Sequence, residues 1–498
     1  MSIKTLGAKV YANIVVKKQN HWMENPIQAQ EKVFAELIEK AKNTAFGKDH
    51  DFKNIKTFKD FAENVPIRDY EELKKYINRI RKGEKDVLWP GKPLYFAKTS
   101  GTTSGAKYIP LTKESMPTHI EGARNAMLNY IEETGNSKFI DGKMIFLQGS
   151  PELTKENGIP VGRLSGIAAH YVPSYLQKNR LPSWKTNCIE DWEQKLKAII
   201  DETIDEDMTL ISGIPSWVQM YFENLVEKTN RPVGEIFPNF DLFIYGGVNY
   251  EPYRKTFKKL IGKDIPSIEL YPASEGFFAF QDQQKHLGML LRLDAGIFYE
   301  FVKADEFFEE NPKRLTLGEV EKNVNYVMII SSSAGLWAYN LGDTVQFTTL
   351  KPYRVVVSGR LKHFTSAFGE HVIGKEVETA MKNTLNELQA GVKEFTVAPQ
   401  ANPEKGLPYH EWFIEFDQEP KDLEKFAKKL DQFLCEQNTY YDDLIQGKIL
   451  RTLIITKVEK GGFKEYMRSI GKLGGQNKIP RLANDRKIAN VLEKFKKQ

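Results

Sequence analysis

Residues Thr99-Ser-Gly-Thr-Thr-Ser-Gly-Ala-Lys107 could cradle an anion. Seven of the eight residues from Thr99 to Ala106 carry a hydroxyl or are glycine. Such a loop offers backbone N–H groups and hydroxyls to one guest, and glycine lets the backbone come close. Lys107 adds a positive charge, and the natural guest is a phosphate. The apolar run Leu94-Tyr-Phe-Ala before it reads as a strand. The order is not that of a P-loop, because Lys107 is followed by Tyr108-Ile-Pro110, which is β-prone and cannot open a helix. A solvated Ser/Thr/Gly turn has the same composition.

Three further stretches hold residues able to do chemistry. Tyr271-Pro-Ala-Ser-Glu275-Gly follows the apolar run Ile268-Glu-Leu-Tyr271, so it belongs at the carboxyl end of a strand. Ser274 can meet a phosphate or acyl oxygen. Glu275 can hold Mg²⁺ on ATP phosphates, since Mg²⁺ takes one or two carboxylates plus phosphate oxygens; the competing role for the pair is a helix N-cap with an acidic first turn. In Trp337-Ala-Tyr339-Asn-Leu-Gly342-Asp343, an aspartate after glycine can accept two hydrogen bonds from a ribose diol, although Gly-Asp is also a common turn. Gln476-Asn-Lys478-Ile-Pro480-Arg481 follows the glycine-rich stretches Gly461-Gly-Phe and Gly471-Lys-Leu-Gly-Gly475. A mobile loop there could carry Lys478, a compact charge on a long stem, to a site.

The elements that must position these residues follow a rhythm. The first 90 residues read as mostly helical, with amphipathic stretches over 27–42 and 70–82. Strands are expected over 144–148, 209–212, 242–245, 267–271 and 326–331. Helices are expected over 115–134, 191–202, 216–228 and 253–261. Alternation of this kind favours an α/β fold with a largely parallel sheet and active residues past the strands' carboxyl ends. After a β-rich stretch over 339–357 the rhythm becomes helix 375–388, strands 394–399 and 411–416, helix 423–437 and strand 449–457, a compact α+β unit. The expected organisation is a large domain over 1–357, a hinge at 358–362 and a small mobile domain over 363–498.

Composition narrows the function classes. The 498 residues can form two or more domains, with 41% apolar residues for a large core. A net charge of +5 spread along such a length argues against nucleic acid as the main partner. Two distant cysteines, Cys188 and Cys435, exclude a disulfide framework and suit a reducing compartment. No signal peptide or transmembrane run stands out, so cytoplasm is the expected location and no membrane is expected as a partner. Eight histidines, none in a ligating pattern, make a protein-held transition metal unexpected.

Taken in order, the Ser/Thr/Gly-Lys loop, the aromatic–small–small–Ser–Glu motif, the Tyr-x-x-Gly-Asp and the Gly-Arg at 359–360 resemble the adenylate-forming superfamily of acyl-CoA synthetases, adenylation domains and luciferases. Three stretches bring the resemblance closer to the auxin-responsive (Gretchen Hagen three) acyl-acid amido synthetases, in their bacterial branch. They are Phe96-Ala-Lys-Thr-Ser-Gly-Thr-Thr-Ser-Gly105, Gly359-Arg-Leu-Lys-His-Phe-Thr-Ser-Ala-Phe-Gly-Glu370 and Gln476-Asn-Lys-Ile-Pro-Arg481.

The resemblance implies that Ser100, Gly101, Thr102, Thr103, Ser104, Gly105 and Lys107 bind phosphate. It implies that Tyr271, Ala273, Ser274 and Glu275 hold adenine, α-phosphate and Mg²⁺, that Asp343 holds the ribose, that Arg360 lies by the hinge, and that Lys478 reaches the reacting groups. Thr99, Pro272 and Asn340 depart from the usual serine, small residue and arginine. The activity implied is ATP- and Mg²⁺-dependent adenylation of a carboxylic acid, then transfer of the acyl group to an amine such as an amino acid. A CoA ligase and a non-catalytic nucleotide-binding homologue are the alternatives. Tyr171, Trp217, Tyr245, Val248 and Phe277 are candidates for the acyl pocket, although aromatics at such spacings are more often core.

Overall fold

The computed structural model describes residues 3–100, 106–172, 177–247, 250–361, 372–401, 403–446, 449–473, 478–483 and 485–497. The chain forms two compact units: Met1–Gly247 with Asp264–Val356, and Val248–Lys263 with Val357–Gln498.

Burial of apolar runs decides the first unit. Met208–Ser212 and Leu242–Gly246 are buried at four successive positions each, so both faces are covered, as in parallel sheets with helices on either side. They belong to an eleven-stranded sheet. From edge to edge it runs Ile297–Lys303, Asn325–Ser332, Tyr339–Leu350, Tyr353–Arg360, Met289–Leu291, Gly276–Phe280, Ser267–Ala273, Leu242–Gly246, Met208–Ser212, Lys143–Phe146 and Arg180–Leu181. The last five strands are mutually parallel. At Ser267–Ala273 the sheet changes sense, because Gly276–Phe280 turns back antiparallel to it. The helix Ser115–Thr134 covers this seam. It comes close because of Gly122, where a Cβ would lie 2.3 Å from Cδ1 of Phe277.

A second, four-stranded sheet has the order Ala106–Leu111, Tyr95–Ser100, Ile159–Gly162, Thr154–Glu156. Its hairpin pairs Thr99 with Lys107 and Ser100 with Ala106. The two strands that flank the hydroxyl- and glycine-rich segment are therefore antiparallel neighbours in register.

The second unit has a three-stranded sheet in which Gly391–Gln400 is antiparallel to Tyr409–Gln418 and Ile454–Lys457 is parallel to the latter. The helices Gly374–Leu388 and Leu423–Gln437 supply Val377, Met381, Phe426 and Leu430 to one core, which also takes in Trp412. Phe413, Phe463, Met467 and Leu492 form another. The helix Glu251–Ile261, although it lies in sequence between two strands of the large sheet, packs with this unit.

Several expectations need correction. The expected strand over 449–457 is only Ile454–Lys457. Before it, the amides of Ile449 and Leu450 turn back to Leu444 O at 2.9 and 3.0 Å. Gly461-Gly-Phe is no mobile loop; it opens the helix Gly462–Ser469, and the Glu415 carboxylate accepts from the Gly461 and Phe463 amides at 2.9 and 3.4 Å. The strand Gly276–Phe280 was not expected. It is buried throughout, so it has no alternation to read. Among the described residues no helix is long and apolar enough to cross a membrane.

Candidate active site

The site is built where the sheet changes sense. Ala273 pairs with Gly276, so Ser274 and Glu275 form a two-residue turn between antiparallel strands. This removes the helix-cap alternative, because no helix begins there. Glu275 is half-buried, and the Tyr339 hydroxyl donates to its Oε1 at 3.4 Å. Burial first, then the nearby Glu275 carboxylate, pushes the Tyr339 phenol well above its usual range. Tyr339 therefore stays protonated and acts as a donor.

Asp343 owes its place to an interruption in a strand. Val327 pairs with Thr344, but Ile329 pairs with Asn340, so Leu341, Gly342 and Asp343 all stand opposite Met328. A bulge of this kind bends a strand and re-aims its side chains. Gly342 sits at φ +78°, and its amide donates to Asn340 Oδ1 at 2.8 Å, which closes the bulge. Asn340, the departure from the usual arginine, thus has a local structural role. Asp343 is only 6% exposed, and the Tyr271 hydroxyl donates to its Oδ2 at 2.8 Å. It lies within the strand Tyr339–Leu350 and is not a turn residue.

A short segment links this cluster to the phosphate-cradle hairpin. Arg68 N donates to Ala338 O at 3.0 Å, and Asn340 N donates to Arg68 O at 2.8 Å, so Arg68 runs beside Tyr339. Two residues on, the Tyr70 hydroxyl accepts from the Tyr108 amide at 2.8 Å. Lys107 Nζ lies 5.6 Å from the Tyr70 ring centroid, within cation–π range. The Tyr70 phenol also contributes to the field at Tyr339. The base of the hairpin and the Glu275–Tyr339 pair therefore share one framework within the first unit.

Of the expected residues, Tyr271, Ala273, Ser274, Glu275 and Asp343 are brought together. Thr99 and Lys107 stand on the hairpin arms, and the backbone of Ser100 pairs with Ala106. Gly101, Thr102, Thr103, Ser104, Gly105 and Val248 lie outside the described residues. Arg360 ends the strand Tyr353–Arg360, and Lys478 is exposed in a stretch of the second unit without regular secondary structure.

The other candidates for the acyl pocket occupy separate settings. Tyr171 is half-buried, edge-on to Tyr95 at 6.0 Å. Trp217 is buried and packs on Trp192 at 4.8 Å. Tyr245 stacks on Phe243 at 5.4 Å. Phe277 lies beneath Gly122, with the Arg292 guanidinium 5.8 Å from its ring. Tyr339 and Tyr70 were missed. Tyr339 heads the Tyr-x-x-Gly-Asp motif and could have been found there; nothing in the sequence marks Tyr70. Among the described residues no group of three or more His, Cys, Asp or Glu could hold a metal by itself.

Known protein families and structures resemble this chain along most of its length. The GH3 family N-terminal domain matches residues 15–191, the GH3 family central domain residues 290–360, and the GH3 family C-terminal domain residues 375–487. The chain is 22% identical to the Arabidopsis thaliana indole-3-acetic acid-amido synthetase GH3.4, over 94% of this chain and 91% of that protein. It is also 22% identical to the jasmonoyl–L-amino acid synthetase GH3.5 of Oryza sativa subsp. japonica, over 86% and 88%.

Among solved structures, the GH3.15 acyl acid amido synthetase has the same fold, with a TM-score of 0.79 at 16% identity over 98% of this chain and 97% of that one. A 2-hydroxyisobutyryl-CoA ligase follows at a TM-score of 0.60 and 11% identity over 94% and 91%. Three successive family domains span most of the chain in order, and the fold agrees along nearly all of it: the chain belongs to the GH3 family.

Proposed function

We propose that this protein is an AMP-forming ligase that activates a small carboxylic acid with ATP and passes the acyl group to an amino acid, forming an amide. The observation that carries this reading is the convergence of Tyr271, Glu275, Tyr339 and Asp343 beside the hydroxyl-rich hairpin. The names of its relatives support the acid and amino-acid classes.

The residues fit their proposed tasks. Asp343 is a buried carboxylate already oriented by Tyr271, suited to accept from a ribose diol. The segment 99–107 offers hydroxyls, amides and Lys107 to phosphate oxygens. Ser274 meets the α-phosphate from the turn. Ala273 and Arg360 complete the nucleotide contacts, and Tyr171, Trp217, Tyr245, Val248 and Phe277 are the candidates to vary in mapping the acyl group's place. Glu275 supplies one carboxylate, which suits Mg²⁺, an ion whose remaining ligands are phosphate oxygens and water. Bound Mg²⁺ lowers the charge barrier at phosphorus.

The acid's carboxylate oxygen attacks the α-phosphorus and the bond to pyrophosphate breaks. The amine nitrogen then attacks the acyl carbon, AMP leaves with the bonding pair, and the amine gives up its proton. This chain's part is positioning and charge stabilisation. Lys478 is assigned to the reacting oxygens, with a hinge at 358–362 to deliver it. The two cysteines, both free thiols, support a reducing compartment such as the cytoplasm.

The test is pyrophosphate exchange across a panel of carboxylic acids, followed by product analysis with amino acids and with CoA. Acid-dependent exchange and an amide product are expected. A thioester with CoA and no amide would make it a CoA ligase, and no exchange with any acid would end the enzymatic reading.

A further inference from the structure

We propose that Arg481 is the positioning residue for Lys478, fixing the near end of the segment that presents the lysine. The proposal rests on the catalytic assignment of Lys478 made above. Residues 480–483 lie along the strand Gly391–Gln400 as an extra edge. Thr396 Oγ1 donates to Pro480 O at 2.6 Å, Val397 N to Arg481 O at 3.0 Å, and Ala483 N to Val397 O at 2.9 Å.

At the centre of this edge the Arg481 side chain is only 10% exposed. It forms ion pairs with Glu394 and with Glu378, the latter at 3.4 Å. Nη1 donates to Phe395 O at 3.0 Å and Nη2 to the Tyr253 hydroxyl at 2.9 Å, and the guanidinium lies 4.5 Å from the Phe395 ring centroid. Tyr253 donates in turn to Glu394 at 3.3 Å. A planar guanidinium can meet two carboxylates, a carbonyl and a phenol at once; an ammonium cannot.

Lys478 stands two residues before the first anchored carbonyl. At roughly 3.3–3.6 Å per residue its Cα is tethered within about 7 Å of Pro480. Its exposed side chain therefore starts from a fixed base. A misplacement of about 1 Å at a reacting group costs on the order of 10²-fold in rate. Loosening the Arg481 knot should slow the step that uses Lys478 without weakening nucleotide binding.

The experiment is a double-mutant cycle on the half-reaction that Lys478→Ala slows. Arg481→Lys is expected to reduce its kcat by roughly 10- to 100-fold with KM for ATP unchanged. The double variant is expected to be no slower than Lys478→Ala alone, because a residue that acts through the lysine has nothing left to act on. Thr396→Val, which removes one anchoring hydrogen bond and leaves every charge, gives the same cycle with a smaller effect; it decides the matter if Arg481→Lys does not fold. Multiplying effects in the double variant, or a wild-type rate in the folded anchor variants, overturns the proposal. A wild-type rate for Lys478→Ala removes the assignment of the lysine, and the proposal falls with it.

Discussion

A carboxylate that accepts a phenol hydrogen bond has one oxygen committed and its orientation fixed. Asp343 is in that state through Tyr271, so the two residues should differ in what they do to nucleotide binding. Asp343→Ala removes a charged acceptor worth about 1.5–3 kcal/mol per hydrogen bond, and a loss of tenfold or more in ATP affinity is expected. The 2′-deoxy nucleotide should lose less, and equal losses for both would remove the ribose assignment. Tyr271→Phe keeps the ring packed edge-on against Phe278 at 5.1 Å and frees Asp343 to move. It should cost less than Asp343→Ala in the same titration. Glu275→Gln keeps the shape and the Tyr339 contact but removes the charge, so half-maximal activity should need more Mg²⁺. An unchanged Mg²⁺ dependence with reduced turnover would give Glu275 another task.

Two glycines make predictions about elements. At Gly342 a side chain has open space but a left-handed backbone, so Gly342→Ala should cost about 1–2 kcal/mol through the backbone alone and shift Asp343 with the bulge. Denaturant unfolding and ATP affinity should both record it. At Gly122 the backbone is ordinary and the space is absent, so Gly122→Ala pushes a methyl into the Phe277 ring, at a cost of about 1–3 kcal/mol. Phe277→Leu in the same chain should recover part of that loss. Neither effect could be read from the sequence, where both are simply glycines. The legible elements were amphipathic helices with clear ends. Ser115–Thr134 and Leu423–Gln437 match the expected ranges, stopped by a left-handed Gly135 in one case and started by the Asp422 cap in the other. The buried strands Met208–Ser212, Leu242–Gly246 and Asn325–Ser332 were legible as apolar runs, but Gly276–Phe280 was not. Gly276–Phe280 has no period, and without it Ser274–Glu275 could equally have been a helix start. The bulge is a property of how two successive strands pair, so Asp343 could be suspected from Gly-Asp but not placed.

The whole molecule carries a pH dependence that is separate from catalysis. His119, on the helix over the seam, is buried, and neither ring nitrogen is hydrogen-bonded among the described residues. Burial, then the Arg292 guanidinium, holds its pKa down at about 4. The unfolded chain takes up a proton near pH 6.5 while the folded one resists, so stability is complete above that value and declines as pH falls toward 4, by up to about 3 kcal/mol. His119→Leu should hold its stability at pH 7 and flatten that decline; an identical pH profile in the variant would show that other groups are responsible. The separation in sequence between the two halves of the site has a consequence for synthesis. Tyr271 meets Asp343 across 72 residues, and Glu275 meets Tyr339 across 64. Translated at about 5–20 residues per second, the first half waits roughly 4–14 s for its partner. Nucleotide cannot lend its binding energy to a nascent chain until the bulged strand has emerged, so ATP should raise the yield of refolded full-length protein and leave ribosome-bound chains ending before residue 339 unaffected.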